Sequence, residues 1–182
     1  MAYHSDLTCD RQFGSANMAW MPLKNPTNIR GNAPILPDSE HDIIDDIIRF
    51  FRPNIFFAKY DVENNVDRTY VYGTLYAAKC LKKIARCRSK DEAHKAMFTL
   101  ALQDVTREMP GDPTFPLKAL YSNPTTTKDK SDLTTYLTQL RQEIGLRLVE
   151  VVFGEEEKPS KWWLMFNKYR FINKELGGTG VY

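Results

Sequence analysis

Asp42, Asp45 and Asp46 stand together where an apolar-periodic segment begins, and a carboxylate set of this kind could perform acid–base work. The start of a helix also favours acidic side chains through its dipole, so solvated capping is the preferred reading. The histidines, His4, His41 and His94, fall in an extended segment, a helix start and a helix. None lies three or four residues from a second ligand in a zinc spacing. Cys80 and Cys87 are seven residues apart and share one face if their helix continues that far; two buried small hydrophobes explain them better than a metal or redox pair. Gly177 and Gly178 follow a periodic segment instead of opening one, the wrong order for a phosphate cradle. Glu155, Glu156, Glu157 and Lys158 form a short charged turn, read as a solvated loop. No cofactor is expected.

Binding chemistry is better represented, in the last quarter of the chain. Pro159 and Ser160 mark a helix start and Gly177-Gly178 a stop. At 100° per residue, Trp162, Met165, Phe166, Tyr169, Ile172 and Leu176 form a core stripe. Trp163, Asn167, Arg170 and Lys174 fall on a separate face, and Leu164 and Phe171 on a third. Trp and Arg dominate protein interfaces, so Trp163, Asn167, Arg170 and Lys174 are the candidate interface, with Trp163 as apolar anchor. The competing structural account is that neighbouring helices cover Trp163.

The elements that position these residues follow from periodicity. Residues 1–38, with prolines at 22, 26, 34 and 37, form an irregular extended arm. Met18, Ala19, Trp20, Met21 and Leu23 suggest that part of it lies against the body. A first helix is expected from Ser39, with Asp42 three residues on, until Pro53 ends it. A second runs from about Val66 to Ala85, capped by Asn64 or Asn65. A third opens on Ser89-Lys-Asp-Glu92, a capping box, and stops before Met109. A fourth starts near Ser131, carries Leu133, Leu137, Leu140, Ile144, Leu148 and Val151 on one stripe, and ends at Gly154. The fold class is therefore all-α: a compact domain of about five helices over 39–176, one largely surrounded by the others, with arm 1–38 and a short tail 177–182. One of the last two helices is expected near the centre.

With 182 residues the chain has the size of one domain and buries a real core. Its 25 basic and 23 acidic residues leave a net charge of only +2, which argues against nucleic acid as a partner. No stretch approaches the roughly 20 apolar residues needed to span a bilayer. The first residues lack a secretion-signal pattern, and three unevenly placed cysteines make no disulfide framework, so a cytosolic home is expected.

Longer motifs then recur in order: Ala2-Tyr-His-Ser5, Asn17-Met-Ala19, Asp42-Ile-Ile-Asp45, Asn54-Ile-Phe-Phe57, Asp67-Arg-Thr69, Cys80-Leu-Lys-Lys83, Pro110-Gly111 and Phe115-Pro-Leu117. Gln139-Leu-Arg-Gln-Glu143, Gly145-Leu-Arg-Leu148, Lys158-Pro-Ser-Lys-Trp-Trp163 and Asn173-Lys174 complete the set. The chain thereby resembles the family of subunit 3 of the actin-related protein 2/3 complex over nearly its whole length. It departs from that family around Gly14-Ser-Ala-Asn17, at Thr114 and in Thr179-Gly-Val-Tyr182. The resemblance implies an all-helical, non-catalytic scaffold in a seven-subunit assembly. That scaffold docks on actin-related protein 3 and helps hold the branch junction on the actin filament, in the cytoplasmic actin cytoskeleton, while any ATP binding belongs to the actin-related partners. The rival from another class is a free-standing helical adaptor that binds a peptide or partner helix in a groove. A small enzyme using the first-helix carboxylates is a third reading.

Overall fold

Nine consecutive residues, Thr69 to Ala77, are all buried, so the helix that carries them is covered on every side. The structure, a computed structural model, describes residues 1–177. Numbered in chain order, its short strands are β1 (Gln12–Phe13), β2 (Ala16–Ala19), β3 (Leu23–Lys24) and β4 (Ile35–Leu36). The helices are α1 (Ile43–Asn54), α2 (Asn65–Ile84), α3 (Lys90–Leu102), α4 (Thr127–Phe153) and α5 (Lys161–Leu164). The enclosed element is α2, so the expectation of a central helix near the chain's end is corrected. Tyr70, Tyr72 and Tyr76, absent from a simple apolar count, supply much of its buried surface.

Helix α2 starts where the Asn64 side chain accepts the Asp67 N–H at 2.9 Å. Helices α1, α3, α4 and β2 pack around it. Gly73 sets the spacing, because a Cβ there would collide with Ile47 of α1 and crowd Ile144 of α4. Helix α4 begins four residues earlier than its apolar stripe suggests, capped by Thr126. Leu133, Leu137, Leu140, Ile144 and Leu148 are fully buried, and Val149, Val152 and Phe153 bury its second side. Val151, placed on the stripe by spacing, is exposed. Helix α3 ends at Leu102, short of Met109, because Gln103 turns extended (ψ 135°) and Asp104 then adopts a left-handed conformation (φ 51°).

The N-terminal segment carries four short strands that its irregular sequence did not announce, so the fold is largely helical with two small sheets. Strands β1 and β2 pair antiparallel, Phe13 opposite Ala16; β3 and β4 pair in parallel, Leu23 opposite Ile35. Phe13, Met18, Ala19, Met21 and Leu23 enter the same core as the helices. Side chains from the helices satisfy this segment's backbone. The Asn54 amide exchanges two hydrogen bonds with Tyr3 (2.9 and 2.8 Å), Thr69 Oγ1 donates to Ala19 O (2.8 Å), and Tyr136 OH donates to Met21 O (3.1 Å). Of the tail expected at 177–182, the part beyond Gly177 lies outside the described residues.

Candidate functional site

The C-terminal segment does not continue as one helix. Helix α5 is a single turn after Ser160, and the chain leaves it through i+3 turns: Phe166 N–H to Trp163 O, Asn167 N–H to Leu164 O, and Tyr169 N–H to Phe166 O. Ile172 and Asn173 then adopt positive φ (48° and 55°), which no α-helix accommodates. The 100° projection therefore fails beyond Leu164. Trp162 is 75% exposed and Met165 48% exposed, whereas Trp163 is only 7% exposed. The core stripe is corrected inside α5 as well, where the turn presents Trp163 and not Trp162 to the core: Trp163 packs 6.0 Å from the Phe51 ring under the Arg52 guanidinium at 5.1 Å. What faces solvent is an aromatic surface. Phe56, 57% exposed, meets Phe166 and Tyr169 edge-on at 5.7 and 4.8 Å.

Of the four candidate interface residues, Trp163 thus lies beneath the surface, and the other three lie along one flank of α2. Asn167 is half-buried beside Lys82, Ala85 and Arg86. Arg170 and Lys174 are exposed and line a cleft of about 140 Å³ with Lys79 and Lys82. Glu175 pairs with Lys82 and, at 2.9 Å, with Arg170 Nε. At the cleft's edge Gly177 (φ 68°) sits so close to the Lys79–Glu108 pair that a Cβ would strike Glu108.

With this geometry the chain can be set against known proteins. The family model described as the ARP2/3 complex ARPC3 (21 kDa) subunit matches residues 1–176. A Schizosaccharomyces pombe protein named actin-related protein 2/3 complex subunit 3 is 41% identical, covering 96% of this chain and 99% of its own. Its Saccharomyces cerevisiae namesake is 40% identical with the same coverage. A Caenorhabditis elegans protein named as a probable subunit 3 is 38% identical across 99% and 98%. The chain belongs to the ARPC3 family.

In this ARPC3-family fold the carboxylates at the start of α1 are structural: Asp42 and Asp46 are buried and Asp45 half-buried, not solvated as expected. Asp42, not Ser39, is the N-cap: its side chain accepts the Ile44 and Asp45 N–H groups while Asp45 accepts the Asp42 N–H, a reciprocal capping box. Asp42 also takes the Lys24 N–H (3.0 Å) and the Arg147 guanidinium (2.8 Å). Asp46 accepts Ser5 Oγ and faces His41 Nε2, both at 2.6 Å. Burial pushes the Asp45 carboxyl up, but hydrogen bonds from Lys24 and the Asp42 backbone, with the Lys24 and Arg147 charges, hold it below the usual range. These groups hold α1, α4 and the N-terminal segment together.

Two further constellations were invisible to spacing. The fold brings His4 to Glu63 and Asp67, their ligand atoms within 4.8 Å of one another. Asp67 already accepts Tyr60 OH (3.1 Å) and Glu63 N–H (2.9 Å) and meets His4 Nδ1 (3.1 Å), a hydrogen-bonded strap across the start of α2. In the core, Arg141 of α4 lies 4.6 Å over the Tyr76 ring and pairs with Glu108. Cys80 and Cys87 are free and buried, and burial pushes the Cys80 thiol up to about 12.

Proposed function

We propose that this chain is a non-catalytic structural subunit of the actin-related protein 2/3 complex. It supports nucleation of branched filaments by docking on actin-related protein 3 and helping hold the branch at the actin filament. The family match across residues 1–176 carries this reading. The relatives' names supply the assembly: they are called subunit 3 of that complex. The surface supplies a means. Trp162, Met165 and Phe56 are exposed apolar side chains that are costly to leave in water, and Arg170 and Lys174 are exposed cations further along the C-terminal segment. Trp163 is buried against Phe51 and Arg52, so its part is positional, and Asn167, Arg170 and Lys174 make the polar contacts. The neighbouring chains are the other subunits and actin; the cytoplasmic actin cytoskeleton is the setting. A catalytic role for α1 is disfavoured because Asp42, Asp45 and Asp46 are committed to caps and ion pairs.

The test is reconstitution of the complex with the Arg170→Glu/Lys174→Glu variant and with Trp162→Ala. Folding should stay within about 0.5 kcal/mol of wild type, as for exposed substitutions. Incorporation and branching should fall, and raised salt should weaken the wild type while relieving the charge-reversed variant. Folded variants that assemble and branch normally would refute the surface. Recovery in variable partial assemblies, instead of a fixed stoichiometry, would favour a free-standing adaptor.

A further inference from the structure

The cleft between α2 and residues 170–177 holds a local concentration of positive charge in a chain that is nearly neutral overall. Lys79 and Lys82, one turn apart on α2, face Arg170 and Lys174 across it. Lys79 is matched by Glu108 outside the cleft, and Glu175 is shared between Lys82 and Arg170, so the rim keeps a positive excess. The carboxylate already seated between two cations shows what the cleft selects.

Glu175 is loosely retained. Both of its pairs are solvent-accessible, with Lys82 36% and Arg170 63% exposed, and such pairs add little to stability. The segment that delivers it is strained at Ile172, because a β-branched residue at positive φ is a genuine outlier (φ 48°). Its backbone is tied by a bond from Ile172 N–H to Phe57 O at 2.9 Å. Strain of this kind persists where the surroundings impose it and collects at binding and switch segments.

We infer that this cleft receives a carboxylate side chain from an acidic segment of a neighbouring protein, with Glu175 as the resident stand-in that the guest displaces. The inference rests on the reading of this flank as an interface and adds the chemistry of what enters it. A guest carboxylate gains the Arg170 fork and the Lys82 ammonium without bending the chain through Ile172, and the neighbouring Phe56–Tyr169 surface supplies apolar contact.

Carbodiimide cross-linking, which joins a lysine amine to a carboxylate in contact, tests it on the full chain alone and on the assembled complex. The free chain should give a Lys82–Glu175 link. In the complex that link should fade and be replaced by one from Lys79, Lys82 or Lys174 to an Asp or Glu of another subunit. Glu175→Gln, which weakens the stand-in, should enter the complex several-fold more tightly. Persistence of the Lys82–Glu175 link at full yield in the complex, with no interchain link from these lysines, would overturn the inference. Normal assembly of the Arg170→Glu/Lys174→Glu variant defeats the interface itself. Loss of assembly in that variant together with a persistent internal link defeats only the cleft.

Discussion

Arg141→Met should be among the most damaging single changes in this chain. Arg141 is fully buried at the middle of α4, and one of its terminal nitrogens donates to Leu100 O at 2.9 Å and Gln103 O at 2.8 Å. These carbonyls end α3, so Arg141 completes a helix terminus from another helix. Its other terminal nitrogen lies 3.1 Å from Glu108, itself buried. Burial alone works against the guanidinium's charge, but Tyr72, Tyr76 and Glu108 outweigh it and hold it firmly protonated. Methionine keeps much of the stem's volume and removes every donor. The α3 carbonyls then lose their partner, and Glu108 keeps only Lys79. Removing one side of a buried ion pair costs about 3–5 kcal/mol. At about 2–4 °C per kcal/mol for a chain of this size, Tm should fall by roughly 6–20 °C. The assay is calorimetric unfolding of the purified full chain, with a double-mutant cycle against Glu108→Gln. Neutralising Glu108 removes the stranded charge, so the double variant should lose less than the sum of the singles by about 1–3 kcal/mol. A loss below about 1 kcal/mol for Arg141→Met, or strict additivity in the cycle, would refute the reasoning.

Leu140→Ala, fully buried on the α4 stripe, should cost roughly 2–5 kcal/mol in urea unfolding, and an unchanged midpoint would mean the stripe is wrongly assigned. Gly73→Ala should destabilise despite alanine's helix preference of about 1 kcal/mol, because crowding against Ile47 and Ile144 costs typically 1–3 kcal/mol; a higher Tm would contradict it. The Asp45 carboxyl is held below its ordinary value, so the unfolded chain takes up its proton more readily. That contribution is complete above the ordinary aspartate range and lost as pH falls through the folded value. Lys24→Met should therefore shift acid unfolding, followed by circular dichroism, to higher pH, and superimposable acid limbs would exclude this coupling.

Much of the helical frame was legible because its signals were local. Asn64 and Ser89 cap where a capping side chain precedes an apolar run, and Gly154 (φ 57°) ends α4 as a C-terminal glycine should. The C-terminal segment misled because its aromatic residues recur at helical spacing while the chain turns away after Leu164. Periodicity reports which residues want burial, not whether the backbone can deliver them. Aromatics and asparagines are poor helix formers, and Asn173 tolerates a left-handed turn, so the intrinsic preferences already opposed a long helix there. Arg170 and Lys174 were found as surface cations, but Lys79 and Lys82, about 90 residues away, complete their cleft only in the folded chain. The burial of Asp42 and Asp46 was equally hidden, since the groups that satisfy them come from Ser5, Lys24 and Arg147.

The way the first residues are seated constrains how this protein is made. Phe13 packs on Tyr136 at 4.9 Å, and Met21's carbonyl waits for the Tyr136 hydroxyl, so the opening of the chain is completed by a helix synthesised more than a hundred residues later. At about 5–20 residues per second, translation leaves the apolar side chains of this segment without that partner for on the order of ten seconds. Contacts of such sequence separation also slow the search for the native topology. Before α4 leaves the ribosome, Phe13, Met18, Met21 and Leu23 are a natural target for a holdase chaperone. A chain truncated before residue 136 should remain dependent on that shelter.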